Sequence, residues 1–254
     1  MNGNKMSYTD SHKGKNDGLI YDSYFYNTDT YDNRIWEVEK SILNDFLNKI
    51  NKAENTLDFA CGTGRVAEFL ENSGFENIYG FDSSYEMLKV AKNKLNRTRL
   101  INTDINKDDI IEYENKFKLV TAFRFFLNAE DELRDSTFKS IYKILKNNGY
   151  LIFNIHGNKN SLRYFSLFFF NLTQGIRQRV FKRKKHNKKQ LSISEIREYL
   201  KKNKFEIIEI ISYSFLTKFL YFILPKNLFI YLEKILSSNR ILLGTHLIFL
   251  VRKI

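Results

Sequence analysis

The stretch Leu57-Asp58-Phe59-Ala60-Cys61-Gly62-Thr63-Gly64-Arg65 decides the fold. A strand-like run, Thr56 to Ala60, ends there, two glycines follow, and a helical pattern runs from about Arg65 to Ser73. Glycine lets the backbone bend and approach a ligand, and the first turn of a helix leaves N–H groups pointing at it. Strand, glycine turn and helix in that order build a ligand site at the carboxyl edge of an open α/β sheet. A second short strand, Ile78 to Phe81, leads to Asp82, where such a sheet presents a carboxylate to a ribose.

Outward from this point the pattern repeats. A helix is expected over Ile35 to Ile50, from apolar residues at helical spacing. Further helices are expected over Met87 to Leu95, Thr137 to Leu145 and Ser194 to Lys202, the last capped by Ser192 or Ser194. Strands are expected at Arg99 to Asn102, Phe117 to Phe123, Tyr150 to Ile155, Phe205 to Ser212 and Thr245 to Val251, with a turn at Asn148-Gly149. The alternation implies a doubly wound, mostly parallel seven-stranded α/β sheet of the Rossmann-like kind. Phe215 to Leu236 reads as a helical insertion, with Pro225 suited to the first turn of a new helix.

The chain has 254 residues and is 43% apolar, enough for one α/β domain with a full core. We expect a disordered lead over 1–20 and a single domain over 21–254, with 160–190 and 214–240 as insertions on the acceptor side. One cysteine, Cys61, excludes an intramolecular disulfide, and a cytoplasmic setting is expected. No run is apolar and long enough for a membrane span. Net charge is +12. That fits nucleic acid, an anionic membrane or an acidic substrate, and equally a Lys- and Asn-rich composition unrelated to function.

Gly62-Thr63-Gly64-Arg65-Val66-Ala67 also satisfies the short dinucleotide pattern, so a nicotinamide or flavin enzyme is a rival reading. Asp58 separates the two. Its carboxylate would repel a pyrophosphate at the helix N-terminus and would suit a ligand carrying an ammonium group.

Asp58-Phe59-Ala60-Cys61-Gly62-Thr63-Gly64 resembles motif I of the class I S-adenosylmethionine-dependent methyltransferases. Tyr79-Gly80-Phe81-Asp82-Ser83-Ser84 with Met87-Leu88 resembles motif II, and Thr103-Asp104-Ile105 the element after it. Leu119 to Leu127 resembles motif IV. The resemblance covers about Trp36 to Asn158. It implies S-adenosylmethionine as cofactor and S-adenosylhomocysteine as product. Asp58, Ala60, Cys61, Gly62, Gly64, Asp82, Ser83, Met87, Asp104 and Ile105 become candidate cofactor residues. Phe123 and Arg124 are expected to border the methionine moiety. Tyr31 and Arg34 resemble an N-terminal element that folds over the cofactor. Cys61 reads as a packing residue, since no histidine motif accompanies it.

Methyl transfer to a hydroxyl needs its proton removed. His156, in Phe153-Asn154-Ile155-His156-Gly157-Asn158 at the carboxyl end of a central strand, is the candidate base. The four histidines show no cysteine or acidic clustering at ligand spacing, so no metal is expected.

The expected acceptor is a small molecule, a saccharide or a lipid-linked compound, methylated at oxygen. Tyr164 to Phe170 is aromatic, and Arg177 to Lys189 is strongly basic. Together they suit peripheral contact with an anionic membrane at its inner face. Ala122 to Asn128 and Phe153 to Asn158 also resemble segments of bacterial methyltransferases of surface-glycan pathways. One alternative is an RNA methyltransferase using 177–189. Against it, Phe125-Phe126-Leu127-Asn128 stands where a base-amino enzyme carries its acceptor motif. A non-catalytic S-adenosylmethionine-binding regulator is the other.

Overall fold

In the computed structural model, which describes Gly14 and residues 16–26, 29–165, 190–216 and 218–254, the alternation becomes a seven-stranded sheet. The strands are β1 (Thr56–Phe59), β2 (Ile78–Asp82), β3 (Arg99–Asn102), β4 (Phe117–Ala122), β5 (Leu145–Ile155), β6 (Phe205–Tyr213) and β7 (His246–Lys253). Their order is β3-β2-β1-β4-β5-β7-β6, parallel except for β7, which runs antiparallel to both neighbours. The order reverses between β1 and β4, which opens the crevice where such sheets bind ligands.

The helices are α1 (Asp17–Tyr26), α2 (Tyr31–Leu47), α3 (Arg65–Asn72), α4 (Tyr85–Lys92), α5 (Asp131–Ile144), α6 (Ile193–Lys202), α7 (Lys218–Ile223) and α8 (Lys226–Leu236). Side-chain caps start three of them. Thr30 accepts from Asn33 N–H, Ser84 from Met87 N–H, and Ser192 forms a capping box with Glu195. Pro225 stands at the N-cap of α8, one position before the helix proper.

Period-two alternation divides the strands between two cores. Val120, Phe153 and Phe249 pack on one face, and Leu119, Ile152 and Ile248 pack with α2 on the other. All three pairs are fully buried neighbours in sequence, so the central strands read as continuous apolar runs.

Three expectations change. Asp17 to Ile20, placed in the disordered lead, begin α1, which packs on α4. The approach is close, because a Cβ on Gly18 would lie 2.6 Å from the Glu86 carbonyl. The first long helix starts at Tyr31 rather than Ile35. The Asn148-Gly149 turn lies inside β5, where Leu145 pairs with Phe117 but Tyr150 with Leu119. The extra residues form a bulge, and Asn148 takes a positive φ of 56°.

Within the insertion expected at 214–240, α7 and α8 form. Residues 166–189, which hold most of the aromatic stretch and the whole basic run, lie outside the described residues.

Candidate cofactor and active site

The carboxyl ends of β1, β2 and β4 open onto one pocket. Ala60, Gly62, Asp82, Ser83, Met87, Asp104, Phe123 and Arg124 line it, joined by Tyr21, Phe59, Thr103, Asn106 and Asn128 among others. Eight of the expected cofactor residues therefore meet in one place. Gly62 has φ +55°, and a Cβ built on it would meet nothing within 4 Å. The turn thus leaves room where a ligand could press against backbone.

Asp82 is held by two backbone donors, Gly62 N–H and Ser84 N–H, each at 2.8 Å. Those bonds aim its carboxylate from β2 into the pocket. Asp104 accepts from Asn106 N–H at 3.1 Å and faces Lys107 at 3.4 Å. Both carboxylates lie on the wall of the same pocket.

A smaller recess adjoins the pocket, lined by Trp36, Glu39, Asp58, Cys61, Thr63 and Arg65 among others, with Tyr21, Ala60, Gly62, Phe123 and Arg124 shared between the two. Asp58 accepts from Thr121 Oγ1 at 2.8 Å and from Ala67 N–H at 3.1 Å. Burial pushes its pKa up to about 7, partly offset by those two hydrogen bonds. Burial also raises the Cys61 thiol, as expected of a packing residue rather than a nucleophile.

Asp58 and Cys61 line only the recess, and four expected residues line neither pocket nor recess. Gly64 is the left-handed N-cap of α3 (φ 86°), and its missing Cβ gives Leu95 and Ala91 room to pack. The Ile105 side chain is in the core, between two pocket-lining neighbours. Tyr31 and Arg34, expected over the cofactor, face the C-terminal insertion instead. Tyr31 Oη pairs with Ser214 Oγ at 2.7 Å. Arg34 binds Asp29 through two hydrogen bonds, at 3.0 and 2.8 Å, and donates to the carbonyls of Tyr221 and Leu224. The N-terminal side chain that does reach the pocket is Tyr21 of α1.

Behind Glu39, which lines the recess, stands a buried polar network; His156, the expected base, belongs to this network and lines neither the pocket nor the recess. Glu39 Oε1 lies 2.8 Å from His156 Nε2, and it accepts from Asn154 Nδ2 at 2.9 Å and Tyr213 Oη at 2.5 Å. Asn154 Oδ1 accepts from Arg124 N–H at 2.6 Å, which settles the orientation of the amide. Arg124 itself carries a positive φ of 61°, a strained conformation of the kind that gathers at functional sites. Burial opposes charge on Glu39, but His156, Arg124 and Tyr213 outweigh it and hold the carboxyl below its ordinary range. For His156, burial and then Arg124 push the pKa below the ordinary value, against the pull of Glu39. With Glu39 charged and the imidazole neutral, the tautomer bearing Nε2–H donates to the carboxylate, and Asn154 Nδ2, 2.7 Å from the same nitrogen, then directs its hydrogen to Glu39. That tautomer leaves His156 Nδ1 as the proton-accepting atom.

His246 at the start of β7 stacks on His156, with centroids 4.5 Å apart and planes at 19°. Burial drives its pKa well down, and its Nδ1 has no hydrogen-bond partner among the described residues. Glu39, His156 and His246 thus offer a carboxylate and two imidazoles within 4.8 Å, a grouping that sequence spacing did not reveal. Asn154 Nδ2 also stands 2.7 Å from His156 Nε2. The geometry is that of a hydrogen-bonded network, and nothing in it shows a metal.

Glu39 carries a signal in the sequence pattern. Ile35, Glu39, Ile42 and Phe46 fall at helical spacing on the buried stripe of α2, so Glu39 is a charge on an apolar face. Tyr213 and His246 carry none, because only the pairing of β6 with β7 sets them opposite each other.

Comparison with known proteins agrees with the fold. Residues 56–149 match the family model described as a methyltransferase domain. The chain is 33% identical over 105 residues to YqeM of Bacillus subtilis, covering 40% of this chain and 42% of that protein. It is 32% identical over 149 residues to GWCH70_2453 of Geobacillus sp., covering 54% of this chain and 58% of that one. Both bear a provisional methyltransferase name, and the chain spans about half the length of these curated relatives. Among solved structures, magnesium protoporphyrin IX methyltransferase from Synechocystis, crystallised with bound S-adenosylmethionine, superposes with a TM-score of 0.63. That match covers 99% of this chain and all of the other at 12% identity, a likeness of fold. The fold is that of the Rossmann-like class I methyltransferases, and residues 56–149 are the part of the chain similar to the methyltransferase domain family.

Proposed function

We propose that the chain is an S-adenosylmethionine-dependent methyltransferase that methylates a hydroxyl of a small-molecule, saccharide or lipid-linked acceptor. The observation that carries the reading is the contiguity of two parts. A pocket with Asp82 and Asp104 on its wall adjoins a recess bordered by Asp58 and Glu39, and Glu39 holds a neutral histidine.

When bound, S-adenosylmethionine supplies a methyl group on a sulfonium, already an activated donor. Asp82 suits the ribose hydroxyls, Asp104 the adenine amino group and Asp58 the ammonium end. Gly62 suits close contact with backbone. Trp36, Phe123 and Tyr21 give the recess apolar walls that exclude water. His156 Nδ1 takes the acceptor proton as the hydroxyl oxygen becomes the nucleophile. Glu39 keeps Nε2 protonated, orients the ring and stabilises the imidazolium that forms. A surface-glycan intermediate is one member of the acceptor class, favoured by the resemblance of Ala122 to Asn128 and Phe153 to Asn158.

The test is methyl-labelled S-adenosylmethionine added with the purified chain to cell extract, followed by fractionation. Label in an organic-extractable or glycan fraction supports the reading, and label in a nuclease-sensitive fraction sinks it. His156→Gln should lower turnover by about 10²–10⁴-fold while cofactor affinity holds. Unchanged turnover would rule His156 out as the base.

A further inference from the structure

Half of the large apolar side chains exposed among the described residues fall within the short span 222–243. On α8, Leu228, Tyr231 and Ile235 recur at helical spacing and share one outward face. Tyr231 is 60% exposed and Ile235 61%, and on α7 Phe222 reaches 81%. The inward face is carried by Phe229 and Glu233, both fully buried. An ordinary surface helix turns its apolar stripe to the core and its charges to water. Here apolar side chains face out as well as in.

The charge is equally one-sided. Residues 218–243 contain a single acid, Glu233. It is turned inward, where it accepts from Phe215 N–H at 3.0 Å and Leu216 N–H at 2.7 Å. Lys226, Lys234 and Arg240 are exposed. The unit itself therefore presents apolar and cationic groups and no anionic side chain among the described residues; exposed acids of neighbouring elements, Asp45 beside Lys234 and Arg240 and Asp29 beside Lys226, balance part of this charge and leave the cations in excess. A face of that kind is complementary to one surface in particular, with hydrocarbon behind a layer of negative headgroups. No helix of the described residues is long and apolar enough to cross a membrane, so the contact is peripheral.

We infer that the outward face of α7 and α8 docks on the surface of an anionic lipid bilayer. The unit is fastened to α2. Arg34 donates to the carbonyls of Tyr221 and Leu224, and its guanidinium lies 4.5 Å from the Tyr221 ring centroid. Tyr31 joins the same end through Ser214. Both belong to α2, the helix whose Glu39 holds His156. Docking would thus set the active-site mouth in a defined relation to the bilayer. Resting on the proposed reaction, this narrows the acceptor to an amphipathic molecule presented at the headgroup layer.

The test uses the full chain and sedimentation with vesicles, of phosphatidylcholine alone or mixed with phosphatidylglycerol. The wild type should partition to the mixed vesicles, and the paired change Tyr231→Ser with Ile235→Ser should weaken that by about tenfold. Both side chains are more than half exposed, so the variant should fold, which its circular dichroism checks. Lys226→Glu with Lys234→Glu should weaken it similarly and reduce its salt dependence. Wild-type protein that ignores mixed vesicles overturns the inference. So does a serine variant that binds like wild type, since charge elsewhere, such as Arg177 to Lys189, would then be the cause. A dimer in light scattering that the serine pair dissolves would assign the face to a second copy, and would also overturn it. Partition needs no turnover, so His156→Gln should sediment like wild type. Failure of the reaction and failure of docking are therefore read separately.

Discussion

At the residue scale, two carboxylates are held in opposite protonation balance by similar burial. Glu39 stays charged because His156, Asn154 and Tyr213 surround one of its oxygens. Asp58 has only Thr121 and Ala67, and burial prevails. Glu39→Gln removes the charge that pulls the His156 pKa upward. Wild-type turnover should rise with pH as His156 loses its proton, along a limb centred below the usual histidine value. In the glutamine variant that limb should move to lower pH and the plateau should fall by about 10–10⁴-fold. A merely structural glutamate would lower stability and leave the limb in place. For Asp58 the sign runs the other way. An ammonium-bearing cofactor favours the carboxylate, so a group that titrates at about 7 when free must release its proton on binding. Affinity for S-adenosylmethionine should therefore weaken as pH falls from 8 to 6, about tenfold per unit below 7. Calorimetry on Asp58→Asn should show weaker binding without that slope. An Asp58→Asn slope like that of the wild type would remove Asp58 from the ammonium contact.

At the element scale, α1 was illegible in the sequence while α2 was nearly complete. The reason is patterning. In α2, Ile35, Val38, Ile42, Leu43 and Phe46 make a clean buried stripe, whereas α1 spreads its apolar residues around the helix. What holds α1 is a close approach to α4 at Gly18 and an ion pair between Asp22 and Lys94, neither visible as a periodicity. Its contribution to the site is Tyr21. Gly18→Val should push α1 away from the Glu86 carbonyl and weaken cofactor binding several-fold, with the thermal transition of the sheet nearly unchanged. Fluorescence titration of the variant checks this, and wild-type affinity would detach α1 from the cofactor pocket. Tyr31 and Arg34, expected ahead of the helix in an element over the cofactor, lie in the first turn of α2 and face the C-terminal insertion. Their partners, Ser214, Tyr221 and Leu224, lie more than 180 positions away.

At the scale of the whole molecule, the sheet order places β1, β2 and β4 together and brings β7 between β5 and β6. The first grouping makes the pocket at the carboxyl ends of these strands, and the second delivers His246 to His156 and Tyr213 to Glu39. Cofactor binding to so central a crevice should stabilise the entire fold. At a ligand concentration of about 100 times Kd the gain is about 2.7 kcal/mol. In a chain of this size that raises Tm by roughly 5–10 °C, measurable by differential scanning fluorimetry. A Tm indifferent to S-adenosylmethionine would count against the pocket. The sequence by itself determined the alternation of strands and helices and the residues of the glycine turn. It also placed the carboxylates at the ends of β1 and β2, because apolar periodicity and glycine chemistry act over a few neighbouring residues. Only the tertiary structure decided that Glu39 meets His156, that Tyr21 rather than Tyr31 reaches the pocket, and that α7 and α8 turn apolar groups outward. Those outcomes depend on which distant strands pair and which helix faces remain uncovered, and chain spacing carries no record of either.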